Sequence, residues 1–259
     1  MPELAFDAAA KAYDHNFTHS KIGRVQRALV WKRLLQDLDQ HQPTSILEIN
    51  CGTGEDALQL HNLGYQVTAT DISPEMVTVA KQKVSSGVDF RVLGFSELRN
   101  AFSPQSFDLV FSNFAGLNCV SEDELVKLSE DFHTLLKPNG VFIGVYLGKY
   151  CWVERLYFSM KGSRKKAKRR QSKSLANIDG VGEQWTFCYA VDELKTIFRE
   201  FAFKCTRPIG FFIPPSFFET SIGKRTWLIA ILGILERCVG WISWLSDSAD
   251  HMYVKFEKA

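Results

Sequence analysis

The stretch that most restricts the fold is Ser45-Ile-Leu-Glu-Ile-Asn-Cys-Gly-Thr-Gly54. Its apolar run, with Ile46, Leu47 and Ile49, has the length of a buried strand and not of a helix. It enters a turn holding Gly52 and Gly54, and a helical pattern follows from about Glu55 to Leu63. Glycine at such a turn lets the backbone approach a ligand closely, and the first turn of the following helix offers N–H groups without partners. Gly64 ends that helix, Tyr65–Thr70 reads as the next strand, and Asp71 stands at its end.

The alternation continues. Ser73 and Pro74 read as the N-cap and first position of a helix through Val84. Strands follow at Asp89–Leu93 and Phe107–Ser112, then a helix at Glu122–Leu136, a Lys137-Pro-Asn-Gly140 turn and a fifth strand, Val141–Tyr146. Strands alternating with helices imply an α/β fold, a parallel sheet wound on both faces. Right-handed crossovers gather its strand-to-helix loops on one edge, where ligands bind. Residues 3–40 read as helical until Pro43. The last third is predicted as a basic helical segment at 151–175, a helix at Val191–Phe201, a strand at Lys204–Ile213, an apolar helical stretch at 222–246 and a closing strand at His251–Glu257. This divides a single predicted domain, 1–259, into a helical cap (1–42), a ligand-binding core (43–147), a basic insertion (148–190) and a sheet-completing part (191–259).

A carboxylate at the end of the second strand can accept hydrogen bonds from both vicinal hydroxyls of a ribose. Asp71 therefore points to a nucleoside-containing ligand laid across the sheet edge. Gly52, Gly54 and Ala57 satisfy a G-x-G-x-x-A pattern, so a nicotinamide dinucleotide has to be weighed. Against it stand Glu48 inside the first strand, where dinucleotide sites are apolar, the Phe107-Asp-Leu-Val110 strand with its early acid, and the Leu136-Lys-Pro-Asn-Gly140 turn.

With these four motifs in register over about residues 40–147, the sequence resembles the class I S-adenosylmethionine-dependent methyltransferases. The resemblance implies a Rossmann-like, seven-stranded sheet whose last strand, here His251–Glu257, is antiparallel, and it implies S-adenosyl-L-methionine as cofactor. Carried over position by position, Glu48 and the loop Asn50, Cys51, Gly52, Thr53 and Gly54 would face the methionine part, and Asp71 would hold the ribose. Ile72 and Met76 would lie near the adenine, Phe95 and Ser96 would cover its edge, and Ser112 and Asn113 would lie near the transferred methyl. Tyr13 would close over the cofactor from the N-terminal helix. The family usually has glycine where this chain has Asn50, the non-glycine residue type most tolerant of left-handed backbone angles.

Methyl transfer from a sulfonium needs positioning above all, and a base only where the acceptor is protonated. No catalytic residue is assigned from motifs; His19, Tyr146 and His251 are the candidates. No Asn/Asp-Pro-Pro-aromatic motif follows the fourth strand, which argues against amines of nucleobases as acceptors, and Asp108 stands too early in that strand for a metal site, so no metal is expected. The six cysteines form no C-x-x-C pair and the N-terminus does not read as a signal peptide, so a cytoplasmic, reduced protein is expected.

Two outer segments bear on the acceptor. Lys161–Lys173 holds eight basic residues and no acid, although the whole chain carries a net charge of only +2. The stretch Trp227–Leu235 is strongly apolar, but Glu236 and Arg237 interrupt it before a membrane-spanning length is reached. These features favour a small, hydrophobic or lipid-like acceptor and a peripheral membrane contact over nucleic acid. An RNA-modifying enzyme using residues 161–173, and a non-catalytic protein of the same fold, stay open; the oligomeric state is not legible.

Overall fold

The computed structural model describes residues 3–83, 86–178 and 182–259. Helices α1 (Glu3–Tyr13) and α2 (Lys21–His41), joined by a π-helical turn at Asp14–Thr18, precede the alternating core. The core runs β1 (Ser45–Ile49), α3 (Glu55–Asn62), β2 (Gln66–Asp71), α4 (Pro74–Lys83), β3 (Val88–Val92), α5 (Leu98–Ala101), β4 (Phe107–Ser112), α6 (Glu122–Leu135) and β5 (Leu136–Leu147). Then follow α7 (Trp152–Met160), α8 (Arg164–Ala167), the hairpin β6 (Ser174–Ile178) and β7 (Gly182–Thr186), α9 (Val191–Ile197), β8 (Phe201–Ile209), α10 (Thr226–Val239) and β9 (His251–Lys258).

Seven strands form one sheet in the order β3-β2-β1-β4-β5-β9-β8. The first five are mutually parallel, and β9 runs antiparallel to both β5 and β8. The expected Rossmann-like sheet with its last strand reversed is therefore present. Chain order reverses between β1 and β4, which makes the carboxyl ends of these two strands the switch point where a crevice opens. β1 and β4 are buried on both faces because helices cover the sheet on each side. Leu47, Val110, Phe132, Phe142 and Phe256 fill one face, and Trp31, Leu34, Ile46, Phe111 and Ile143 fill the other.

Several boundaries differ from expectation. The Lys137–Gly140 turn is absorbed into β5, whose pairing with β4 shifts register between Phe107 and Leu109, with Asn139 at φ 61° supplying the kink. The strand placed at Lys204–Ile213 lies instead at Phe201–Ile209, because Gly210 at φ 73° ends it. The amides of residues 210–213 then turn onto the carboxylate of Glu236 on α10 at 2.7–3.4 Å. The helix expected over Val191–Phe201 stops at Ile197. The basic segment is not one helix: Gly162 at φ 70° separates α7 from α8, and Ser174–Ile178 pairs antiparallel with Gly182–Thr186 as β6 and β7. The apolar stretch 222–246 is helical as α10 only through Val239. Val84, the expected end of the fourth helix, lies outside the described residues.

Candidate active site

The loop after β1 is built around left-handed backbone. Asn50, Gly52 and Gly54 have φ of 49°, 54° and 76°. A Cβ on Gly54 would meet Ala80 Cβ at 2.8 Å, so this glycine permits the close packing of the loop on α4. A Cβ on Gly52 would meet no protein atom and would project into open space. Asn50 accepts the left-handed angle and repays it with two bonds: its amide donates to Asn113 O at 3.0 Å and its Oδ1 accepts from the Ser112 hydroxyl at 2.6 Å. The side chain thus ties the end of β1 to the end of β4, and it occupies the room over Gly116 that a Cβ there would need.

Asp71 closes the same loop from β2. Its Oδ2 accepts from Gly52 N–H at 2.8 Å and its Oδ1 from Ser73 N–H at 2.9 Å. Burial raises its carboxyl above the ordinary value, against the pull of these two amides. Each oxygen keeps a further lone pair for a ligand. Glu48, within β1, is 1% exposed, and its Oε2 has no hydrogen-bond partner among the described residues. Burial raises its carboxyl well above the usual range, and Asp56 and Asp71 nearby add to that. A buried carboxylate without a partner is costly, and this one borders a cavity.

That cavity has a volume of about 1170 Å³. Tyr13, Glu48, Asn50, Cys51, Gly52, Thr53, Asp71, Ile72, Met76, Phe95 and Asn113 line it, so the structure brings together eleven of the fourteen expected binding residues. It does not bring the other three to the cavity. Ser112 is fully buried behind Asn50, Gly54 packs against α4, and Ser96 faces solvent while Leu93 and Gly94 take its place. Tyr13 is held over the loop by its neighbour Asp14, which accepts from Thr53 at 2.6 Å and pairs with Lys83. Burial pushes the Tyr13 hydroxyl up to about 12, so it stays a neutral donor.

Sequence reasoning missed a layer beneath the β4 loop. Asp56, on the first turn of α3, accepts from Trp31 Nε1 at 2.6 Å and from Asn113 Nδ2 at 2.8 Å, and it pairs with Arg27. Arg27 also lies 5.0 Å from the centre of the Phe114 ring. Phe114 and Ala115 are consecutive non-glycine residues in left-handed conformation, with φ of 45° and 63°. Each such residue stores about 1–3 kcal/mol, held where a surrounding network over-determines it; here Asn113 Oδ1 accepts from Phe114 N–H at 2.9 Å. The acid pair Glu55-Asp56 after the glycines was the one visible signal for this network.

Beyond the loop the cavity continues to Phe17, Phe114, Leu147, Leu175 and Phe217, with His251, Arg169 and Arg170 among them. Two residues of the basic run pair with buried carboxylates: the exposed Arg169 and the largely buried Arg170 both bond Glu154, and Arg170 also reaches Asp250 Oδ1 at 2.6 Å. His251 Nδ1 lies 3.2 Å from Asp250 Oδ2, off the ideal line of a hydrogen bond. Of the three candidate bases, Tyr146 is fully buried and does not border the cavity, His19 borders it from an exposed turn, and His251 borders it while buried. Three of the cysteines are held as neutral thiols: burial pushes Cys119 and Cys188 up to about 11 and Cys151 up to about 12, too high for thiolate chemistry at neutral pH.

Fold and site define a doubly wound α/β protein with a nucleoside-type crevice at its switch point. Residues 46–140 match the family model of the methyltransferase domain. The demethylmenaquinone methyltransferase of Chlorobaculum parvum is 30% identical over 138 residues, covering 52% of this chain and 55% of that protein. The chain thus spans about half the length of this curated relative. Among solved structures, an S-adenosylmethionine-dependent methyltransferase from Methanosarcina mazei superposes with a TM-score of 0.58 at 22% identity, over 83% of this chain and 92% of that one. The 1,6-didemethyltoxoflavin-N1-methyltransferase of Burkholderia thailandensis, with S-adenosylhomocysteine bound, gives 0.55 at 16%, over 99% and 88%. Residues 46–140 thus carry a methyltransferase domain, and the fold is that of the class I S-adenosylmethionine-dependent methyltransferases.

Proposed function

We propose that the protein transfers the methyl group of S-adenosylmethionine to a small, apolar acceptor carrying an ionisable hydroxyl. The observation that carries this reading is the continuity of one cavity from the Asp71 loop to an aromatic wall and His251. Its volume of about 1170 Å³ exceeds the roughly 300–1,000 Å³ of a site for one ligand, leaving room for cofactor and acceptor together.

The residues suit the cofactor. Asp71 is positioned for the ribose hydroxyls and Gly52 leaves room for close approach. The unpaired Glu48 fits the ammonium group of the methionyl part, which would neutralise its buried charge. Ile72, Met76 and Phe95 offer an apolar slot for the base. The bound cofactor supplies an activated methyl on a sulfonium. The chain's own task is to exclude water and hold the acceptor in line, which Phe17, Phe114 and Phe217 serve on the apolar side.

His251 is the proposed base. Burial alone would raise the Asp250 carboxyl, but His251 and Arg170 beside it hold it well below the usual range. An ionised Asp250 favours the proton on His251 Nδ1 and leaves the Nε2 lone pair free for an acceptor hydroxyl. The Chlorobaculum relative is named for demethylmenaquinone, and an acceptor of that apolar kind suits the wall. The pairing of Arg169 and Arg170 with the buried carboxylates of Glu154 and Asp250 weighs against RNA. The test is incubation with S-adenosylmethionine labelled in its methyl group and demethylmenaquinone chemically reduced beforehand to its quinol, which carries the required hydroxyls, followed by organic extraction. Label in the organic phase, lost in Asp71→Ala, is the expected result. No transfer to that acceptor or to any apolar extract would overturn the reading.

A further inference from the structure

Helix α10 is apolar on nearly every side. Its inner face, Ile229 and Leu232, packs with Ile22, Ile213 and Phe218, and Glu236 turns inward to hold the backbone amides of residues 210–213. The opposite face carries Trp227, Ile231, Ile234 and Leu235, which are 65%, 48%, 59% and 41% exposed. Beyond its end, Trp241 and Trp244 are 66% and 80% exposed. A helix that is hydrophobic all round belongs in a core or against lipid, yet this one has protein on one face only. Fourteen residues make about 21 Å, and no described helix is long and apolar enough to cross a membrane.

Charge states what fits this face. Lys224, Arg225 and Arg237 flank it, all exposed, and between Thr220 and Ser246 the single carboxylate is the buried Glu236. Helix α7, whose Val153 and Tyr157 join the same apolar cluster, exposes Leu156 and Met160 and leads into the exposed Lys161, Arg164, Lys165, Lys166 and Lys168. A second copy is a poor occupant: a twofold interface sets a patch against itself and would bring these cationic flanks face to face. An anionic bilayer satisfies both features, since Trp and aliphatic side chains enter the headgroup boundary and Lys and Arg meet the acidic headgroups.

We propose that the outer face of α10, with Trp241 and Trp244, is a peripheral docking surface for an anionic lipid bilayer. This is independent of which acceptor is methylated. The test is sedimentation of the full chain with phosphatidylglycerol vesicles and with phosphatidylcholine vesicles. Binding to the first is expected to exceed binding to the second by about tenfold or more and to fall with salt. The double variant Trp241→Ala/Trp244→Ala, at positions already open to solvent, is expected to keep the wild-type circular dichroism and melting temperature and to lose about tenfold in partitioning. Lys224→Glu/Arg225→Glu is expected to abolish the preference for phosphatidylglycerol. Absence of binding, binding that ignores both variants, or sedimentation velocity showing a dimer that the tryptophan variant dissociates would each overturn the proposal.

Discussion

Glu48→Gln separates what the site costs the fold from what it gives the ligand. Burial raises the Glu48 carboxyl well above its ordinary value. A folded-state value above the unfolded one makes ionisation destabilising: the side chain's contribution is intact below the ordinary glutamate value and is lost as pH rises toward the folded one. The neutral amide has no such loss. The apo variant is therefore expected to melt above the wild type at neutral and alkaline pH, and the difference is expected to shrink as pH falls below the ordinary glutamate range. Ligand binding responds the other way. A hydrogen bond to a charged group contributes about 1.5–3 kcal/mol, so S-adenosylhomocysteine is expected to bind roughly 10- to 150-fold more weakly. At a concentration 100 times the wild-type Kd, the ligand stabilises the wild type by about 2.7 kcal/mol and the variant by only about 0.3–1.4 kcal/mol. With about 2–4 °C per kcal/mol for a chain of this size, the ligand-induced rise in Tm drops from about 5–11 °C to about 1–6 °C. Thermal scanning with and without ligand across pH measures both effects. An apo variant less stable than the wild type at neutral pH, or an undiminished ligand shift, would falsify the placement of Glu48 as an unpaired charge facing the cofactor.

Three other perturbations follow from the geometry. His251→Asn is expected to lower kcat at least about 100-fold while S-adenosylhomocysteine binding is retained; a kcat close to that of the wild type excludes His251 as base. Asn50→Gly removes about 1 kcal/mol or more of left-handed strain but also two hydrogen bonds of about 1 kcal/mol each, so denaturant titration is expected to show a net loss near 1 kcal/mol. Glu236→Gln leaves two of the four amides at residues 210–213 facing a donor; at about 1–3 kcal/mol each this costs roughly 2–6 kcal/mol, and the melting temperature is expected to fall by at least about 4 °C.

Much of this architecture was written in the chain. The β1–loop–α3 unit and the acid at the end of β2 were legible because buried parallel strands are short apolar runs and because glycine marks the turns. Asp71 and the Asn50–Thr53 loop stand together at the cavity for that reason. Ser112 was misplaced because a strand-end serine reads the same whether it points to the ligand or behind it; the hydrogen bond to Asn50 decides, and that is tertiary information. The Asp56–Arg27–Asn113 network joins α3, α2 and the β4 loop, and no local spacing encodes such a meeting. The β6–β7 hairpin and the true end of β8 also escaped pattern reading. Neither hairpin strand alternates cleanly, and β8 is stopped by Gly210 together with a carboxylate 26 residues later.

The central claim is that a ribonucleoside sulfonium occupies the crevice between β1, β2 and β4. Calorimetric titration of the wild-type chain and of Asp71→Ala with S-adenosylhomocysteine, alongside a nicotinamide dinucleotide, tests it most directly. The account predicts one site per chain for S-adenosylhomocysteine, severely weakened in the variant, and no heat of binding from the dinucleotide. Binding of the dinucleotide, or of neither compound, would contradict it.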